Sequence, residues 1–433
     1  MSYQAFYTSG LESIILNEGV TKLGAGALGV TKISQIILPS TINEIAGNAF
    51  YSCSNLSNIE IKGNNVNIDP VAFSNCYSID KITLSPTCTS LSWAAEPLDS
   101  NGKTTTLLSN GKNVVFIYPK YLKNQTSYTI PNGVTSWNYR LSSYNINTIT
   151  LPSSLISLDV NAFPYNVSNI IVKEGNEKFK IINDELNQKM LFEYVKGGVN
   201  LRYYLDKQNK IVTIPATIND NGVEKRIKQL SGGALVHNIS LDKISIDTES
   251  IAFNSILNIT EGGTMEIGPN VNYINPRFVG RRYNYNIKIN SNIKYNTIQD
   301  KNNSTIALLE KNENEYNLKK VIKKVTEINI PGKINEYPIT TIGEYSFDTQ
   351  DKLVKIDLSN SEITTIEQEA FYNCSSLSEV KLSNKITSIG QSCFSECLNL
   401  NAIYMPTTKE NNKIAGAPWG ATKGDRAVKW ASQ

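Results

Sequence analysis

Apolar positions recur in a fixed phase along most of this chain. The pattern is clearest in residues 363–405, ITTIEQEAFYNCSSLSEVKLSNKITSIGQSCFSECLNLNAIYM, which say nearly the same thing twice. Phe371 and Phe394 lie 23 residues apart, and each is followed three residues later by a cysteine, Cys374 and Cys397. An apolar-x-apolar triplet follows each pair, first Val380-Lys381-Leu382 and then Ile403-Tyr404-Met405. A period in the twenties marks a solenoid, because one such unit cannot bury its apolar face alone and must stack on its neighbours. Alternation with period two makes each triplet a short strand with two residues inward and one outward.

The same phase divides the chain. Residues 1–87 hold regular coils with triplets Ile14-Ile15-Leu16, Ile36-Ile37-Leu38, Ile59-Glu60-Ile61 and Ile82-Thr83-Leu84, and with anchors at 6, 28, 50 and 73. Regular coils return at 146–172 (anchor Phe163), at 211–278 (anchors Phe253 and Phe278) and at 326–406. Three stretches break the period: 88–145, 173–210 and 279–325. Each alternates around a turn-prone centre, at Ser109-Asn110-Gly111, Asn187-Gln188 and Asn312-Glu313-Asn314, which predicts β-hairpins growing out of long repeats. Residues 407–433 form a terminal segment in which Trp419 and Trp430 are placed to cover the last coil, as a solenoid end requires. All of this is expected to be one continuous domain.

The pattern Ile33-x-x-Ile36-x-Leu38-Pro39, then Ile42-x-x-Ile45-x-x-x-Ala49-Phe50-x-x-Cys53, resembles the BspA-like leucine-rich repeat family. The resemblance implies a mostly β leucine-rich-repeat solenoid, a curved right-handed superhelix with one long parallel sheet and β-hairpin elaborations. It implies adhesion or recognition at bacterial or protist surfaces or on phage tails, and no enzymatic activity. A second, shorter stretch, Ala417-Pro418-Trp419-Gly420-Ala421-Thr422 with Val428-Lys429-Trp430, is similar to the terminal segment of repeat proteins from phage tail modules.

Composition narrows the function. The chain has 433 residues with 42 basic and 39 acidic side chains, so it carries no electrostatic footprint for nucleic acid or for an anionic membrane. No apolar run is long enough for a membrane-spanning helix, which argues against membrane insertion. Met1 is not followed by the basic region and apolar core of a signal peptide, and Ala5-Phe6 enters the pattern in mid-repeat. That entry predicts attachment to a larger parent protein, with an extracellular location on a virion tail or a cell surface.

Candidate chemistry is sparse. His237 is the only histidine, so any Ser-His-Asp or Cys-His arrangement would need it, and it reads as a solvated turn residue. Cys53, Cys76, Cys374 and Cys397 share one phase, so neighbours stack about 4.8 Å apart. Small buried thiols are expected there, with a bridge between coils the alternative. No CxxC pair, P-loop, GxGxxG or HExxH motif is present, so no metal or cofactor is expected.

Binding is expected where the repeat leaves positions free. The outward triplet residues run Ile15, Ile37, Glu60, Thr83, Thr150, Ile171, Thr213, Ser245, Glu266, Asn329, Asp357, Lys381 and Tyr404. In a parallel, in-register sheet they form one stripe on the concave face, where repeat proteins commonly bind. The alternative is a solvated face with β-branched residues chosen for strand propensity. A second cluster holds Tyr273, Arg277, Arg281, Arg282, Tyr283, Tyr285 and Tyr295, with three of the chain's seven arginines inside six residues. Arg and Tyr are the residues of interface hot spots, though a hairpin whose tyrosines cover the sheet would read the same way. The partner expected is a bacterial surface protein or glycan, met by the receptor-binding part of a phage tail or tailocin-like particle. The alternative is a fragment of a cell-surface adhesin.

Overall fold

Each coil is built from one longer and one shorter strand followed by a tight turn. In the computed structural model the longer strands Gln35–Leu38, Asn58–Ile61 and Lys81–Leu84 pair in parallel. Ile36, Ile59 and Ile82 stand in register facing inward, and Ile37, Glu60 and Thr83 stand in register facing outward. The shorter strands Lys22–Leu23, Glu44–Ile45 and Asn67–Ile68 form a second parallel ladder. The turn then places the anchor: Leu28 N donates to Ala49 O at 2.8 Å and Phe50 N to Ala72 O at 2.9 Å, so the turns too form a ladder. This turn needs left-handed backbone at two points, taken by Asn48 and Ser52 in one coil and by Glu369 and Asn373 in another. Asparagine tolerates that conformation better than most residues, which accounts for its recurrence there.

The structure describes all residues except 96–105, 142–143, 186, 236–239, 257–258, 280–283, 410 and 432–433. His237, Arg281, Arg282 and Tyr283 therefore lie outside the described residues. The chain divides into two units, Met1–Lys196 with Arg202–Asp206, and Gly197–Leu201 with Lys207–Gln433. Both are stacks of β-coils. Among the described residues the helical segments are short: Pro119–Leu122, and 3-10 turns at Val160–Ala162 and Gly424–Ala427.

In the first unit the outward ladder runs through Gln35–Leu38 to Lys81–Leu84 and resumes at Ser127–Thr129, Thr148–Leu151 and Asn169–Val172. In the second unit it runs through Ile211–Ile214, Leu241–Ile246, Ile259–Ile267 and Asn286–Ile289, and resumes from Glu327–Ile328 to Val428–Lys429. The long parallel sheet expected from the repeat is thus cut at the inserted stretches.

The insertions are more than hairpins. Ser92–Ala95, Thr106–Ser109 and Val114–Ile117 form a three-stranded antiparallel meander, and so do Tyr295–Gln299, Thr305–Asn312 and Glu315–Val321. The middle insertion pairs Phe179–Asn183 with Lys189–Val195, also antiparallel. Two further hairpins sit inside coils expected to be regular: Thr217–Asp220 with Val223–Leu230, and Lys333–Ile334 with Tyr337–Ile342.

Two sequence expectations are corrected. The triplet Ile14-Ile15-Leu16 forms no strand, although Ile14 and Leu16 pack against the core and Ile15 points outward, 88% exposed. Phe253 is not an anchor, being 50% exposed. Ile256 takes that place and pairs with Val279, which moves Phe278 one position off the anchor, though it remains fully buried.

At the C-terminal end the aromatic column Phe347, Phe371, Phe394 stacks at centroid spacings of 4.6 and 5.4 Å. Phe394 N donates to Trp419 O at 3.0 Å, and Trp419 is 2% exposed with its indole donating to Ala415 O at 2.8 Å. Trp419 therefore sits over the last anchor, and Trp430 packs against the same core.

Candidate binding face

Four outward residues meet on the C-terminal sheet. Strands Lys355–Asp357, Glu379–Lys381, Ala402–Tyr404 and Val428–Lys429 are parallel, with Asp357, Lys381, Tyr404 and Lys429 in one register row. The even strand period points all four the same way, while Ile356, Val380 and Ile403 point into the core. Asp357 and Lys381 form an ion pair at 3.4 Å with side chains 54% and 47% exposed. Asp357 Oδ1 also accepts from Ser359 N at 3.0 Å and Ser359 Oγ at 2.6 Å. The Ser359 hydroxyl, then its amide and Lys381, hold this carboxyl below its ordinary range. Tyr404 is 43% exposed beside Lys381 and Lys429. Asn329 is exposed just past the strand Glu327–Ile328.

Glu266 belongs to a different row, with Thr213, Ser245 and Lys288. Its carboxylate accepts from Ser245 Oγ at 2.7 Å and pairs with Lys243 at 3.0 Å and Lys288 at 3.6 Å. Its side chain is only 13% exposed, so the lysines around it, not the carboxylate, face solvent.

The tyrosine–arginine stretch is dispersed by the fold. Tyr285 is 2% exposed, and its ring is core. Tyr295 is buried too, its hydroxyl facing Glu310. Tyr273 is exposed, with Lys319 Nζ 5.3 Å from its ring centre. Arg277 is spent within the protein: Nε donates to Asp348 Oδ2 at 3.0 Å, and the guanidinium lies 3.5 Å from the centre of the Tyr345 ring.

Two features escaped the sequence reading. The cysteine phase is a donor position. Cys53, Cys76, Cys374 and Cys397 donate Sγ–H to the anchor carbonyls of Leu28, Phe50, Phe347 and Phe371, at 3.0, 2.8, 3.1 and 3.0 Å. In coils without cysteine, Thr31 and Gln350 stand in the same phase and donate to Leu28 O and Val321 O. All six cysteines are free thiols, and burial pushes Cys374 and Cys393 well above the ordinary thiol range.

The second feature is a duplicated insertion. Asn176 Oδ1 accepts from Lys178 N and Phe179 N, and Asn292 Oδ1 accepts from Lys294 N and Tyr295 N. Glu193 then sits between Lys178 and Arg202, as Glu310 sits between Lys294 and Lys319. The signal was in the sequence as Asn176-x-Lys178-Phe179 and Asn292-x-Lys294-Tyr295. Among the described residues no group of three or more His, Cys, Asp and Glu side chains could hold a metal ion, and no helix is long and apolar enough to cross a membrane.

The BspA type leucine-rich repeat region matches residues 1–95, 115–193 and 314–415 in six copies. The chain belongs to the BspA-type leucine-rich repeat family. Solved structures to which the chain is similar include a leucine-rich cell surface protein from Faecalibacterium prausnitzii, at 19% identity over 91% of this chain and 86% of that one, TM-score 0.29. A leucine-rich repeat protein from Eubacterium ventriosum shares 17% identity over 91% and 87%, TM-score 0.34. The pneumococcal vaccine antigen PcpA shares 15% over 92% and 75%, TM-score 0.25. No curated protein sequence matches the chain.

Proposed function

We propose that this BspA-type chain is a non-catalytic recognition module that binds a bacterial surface receptor, protein or glycan. The observation that carries the reading is the row Asp357, Lys381, Tyr404, Lys429 on one solvent-facing sheet. It combines both charge signs with a half-exposed aromatic ring, the chemistry of an interface centre. The strands that carry Asp357, Lys381 and Tyr404 are paired on both sides, so a partner meets a face whose ordering cost is largely met.

The particle that presents it is, on this reading, a phage tail or tailocin, for which the segment 417–430 is the motive. The second reading, a fragment of a surface adhesin, draws on membership of the same repeat family. Capture of surface extracts from candidate bacteria on the immobilised chain tests the recognition role. Specific retention of one surface protein or glycan from one host range is the expected result. Indiscriminate or absent retention across hosts would remove it. Neighbouring tail genes favour the first reading, and an encoded wall anchor favours the second.

A further inference from the structure

The strand Asn169–Val172 ends its sheet, pairing with Thr148–Leu151 on one side only. Asn169 N donates to Asn147 O and Lys173 N to Leu151 O, so these alternate residues use the paired side. Ile170 and Val172 therefore aim their backbone groups at the other side. The chain turns at 173–178 and returns as Phe179–Asn183, which is likewise the edge of its sheet. There Tyr194 N donates to Lys178 O and Asp184 N to Gln188 O, which leaves the backbone groups of Ile181 aimed away from the paired strand. Between the two edges lies a groove of about 690 Å³. Its walls include Ile170, Ile171, Val172, Ile181 and Tyr194, all in the first unit.

The equivalent edges elsewhere in the chain are closed by side chains. Ile82 N, on the last strand of the first outward ladder, donates to the Tyr118 hydroxyl at 3.1 Å. In the twin insertion Ile287 N donates to Thr305 Oγ1 at 3.1 Å, and Ile287 O accepts from the same hydroxyl at 3.0 Å. Thr297 N there donates to Asn296 Oδ1 at 2.8 Å. Aligning Asn176 with Asn292 puts Lys180 in the place of Asn296 and Ile181 in that of Thr297, and an ammonium accepts no hydrogen bond. Among the described residues no partner reaches Ile170 N, Ile170 O or Ile181 N. Ile170 is only 4% exposed, and an orphaned main-chain donor at a buried residue is rare in folded proteins. Exposed strand edges are ordinarily blunted by a charge or a proline, and Asn169-Ile170-Ile171-Val172 has neither.

We propose that this groove binds an extended peptide segment of a partner protein, which adds as a strand to the Asn169–Val172 edge. Donors and acceptors repeating at every second residue match a polypeptide backbone, and a sugar does not present that spacing. The four-residue edge is about 13 Å long, which four or five extended residues cover. Ile171, 48% exposed, and Ile181 flank the groove, so apolar side chains on alternate peptide residues fit that face. The site is separate from the row at Asp357, Lys381, Tyr404 and Lys429 and does not rest on that reading.

The test is titration of the intact chain with a blocked peptide of about six residues, valine alternating with threonine, read by hydrogen exchange resolved to single amides. In the free chain the Ile170 and Ile181 amides are expected to exchange about tenfold or more faster than that of Ile287, and the peptide should slow both. N-methylation of the peptide's valines removes every donor aimed at one edge and should weaken binding about tenfold or more. Ile171→Lys places a charge over the groove and should weaken binding as much, at unchanged melting temperature. Ile170 exchange as slow as that of Ile287, or no slowing by the peptide, overturns the proposal. Equal binding of the methylated peptide, or full binding to the Ile171→Lys variant, does so as well. Self-association of the chain that Ile171→Lys abolishes also overturns it, since the occupant is then a second copy. Should the peptide fail while surface extracts are still captured, this site falls and the recognition row on the C-terminal sheet stands.

Discussion

Arg277 and Asp348 meet at 3.0 Å although 71 residues separate them in sequence. The strand Glu315–Val321 of the inserted meander runs between their coils, parallel to Tyr337–Ile342 on one side. Arg277 therefore fastens the coil before the insertion to the coil after it. Its guanidinium also lies over Tyr345 at 3.5 Å and within 5.7 Å of Tyr372.

Arg277→Ala should destabilise the protein by about 1–3 kcal/mol, since it leaves the carboxylate of a largely buried Asp348 without this partner. Arg277→Lys should recover only part of that, because an ammonium keeps the charge but not the planar stack. Denaturant titration of the three proteins checks this. Equal midpoints would show that the clamp contributes nothing.

The thiol–carbonyl bonds make a graded prediction. Cys374→Ser keeps a donor for Phe347 O, while Cys374→Ala leaves that carbonyl without it and opens a small void. The serine variant should lose less stability than the alanine variant, by about 1 kcal/mol. An alanine variant as stable as the serine variant would reduce the cysteine phase to simple space filling.

Lys320 gives the stability a pH dependence. It is 7% exposed, with Nζ 3.3 Å from Tyr345 O. Burial lowers its pKa from 10.5 to about 8; Asp348 acts in the opposite sense, while Arg277 and Lys324 add to the lowering. Between those two values the unfolded chain holds a proton that the folded chain has released. Stability contributed at this site therefore rises with pH through that window, and the penalty is fully present below pH 8. Chemical denaturation across about pH 7.5–9.5 should show that rise, and Lys320→Met should flatten it. An identical slope in the variant would contradict the assignment.

The coil phase was legible because a solenoid is nearly one-dimensional: each residue's role follows from its distance to its own short strand. Five residues separate Ile45 from Phe50, Ile68 from Phe73, Ile366 from Phe371 and Ile389 from Phe394. The same count from Ile251 reaches Ile256, so Ala252-Phe253 copies the signature three positions too early. Counting from the strand rather than matching the dipeptide would have placed that anchor. The hairpin at Thr217–Asp220 and Val223–Leu230 was likewise written in the sequence, as Asn221-Gly222 with φ of 53° and 87°.

The candidate face was less legible. That Asp357, Lys381 and Tyr404 share a row followed from the period, but that Glu266 is saturated by Ser245, Lys243 and Lys288 needed neighbouring coils in register. Arg277 looked like an interface residue because its partner lies beyond an insertion, where no local pattern reaches.

The most direct measurement is binding of the intact chain to its captured surface receptor, compared with the double variant Lys381→Ala, Tyr404→Ala. Both side chains are half-exposed and face solvent, so the melting temperature should hold. The account predicts a loss of affinity of about tenfold or more, because charged and aromatic anchors at an interface centre each carry roughly 1–2 kcal/mol. Wild-type affinity in the double variant would contradict it and move the binding surface off this sheet.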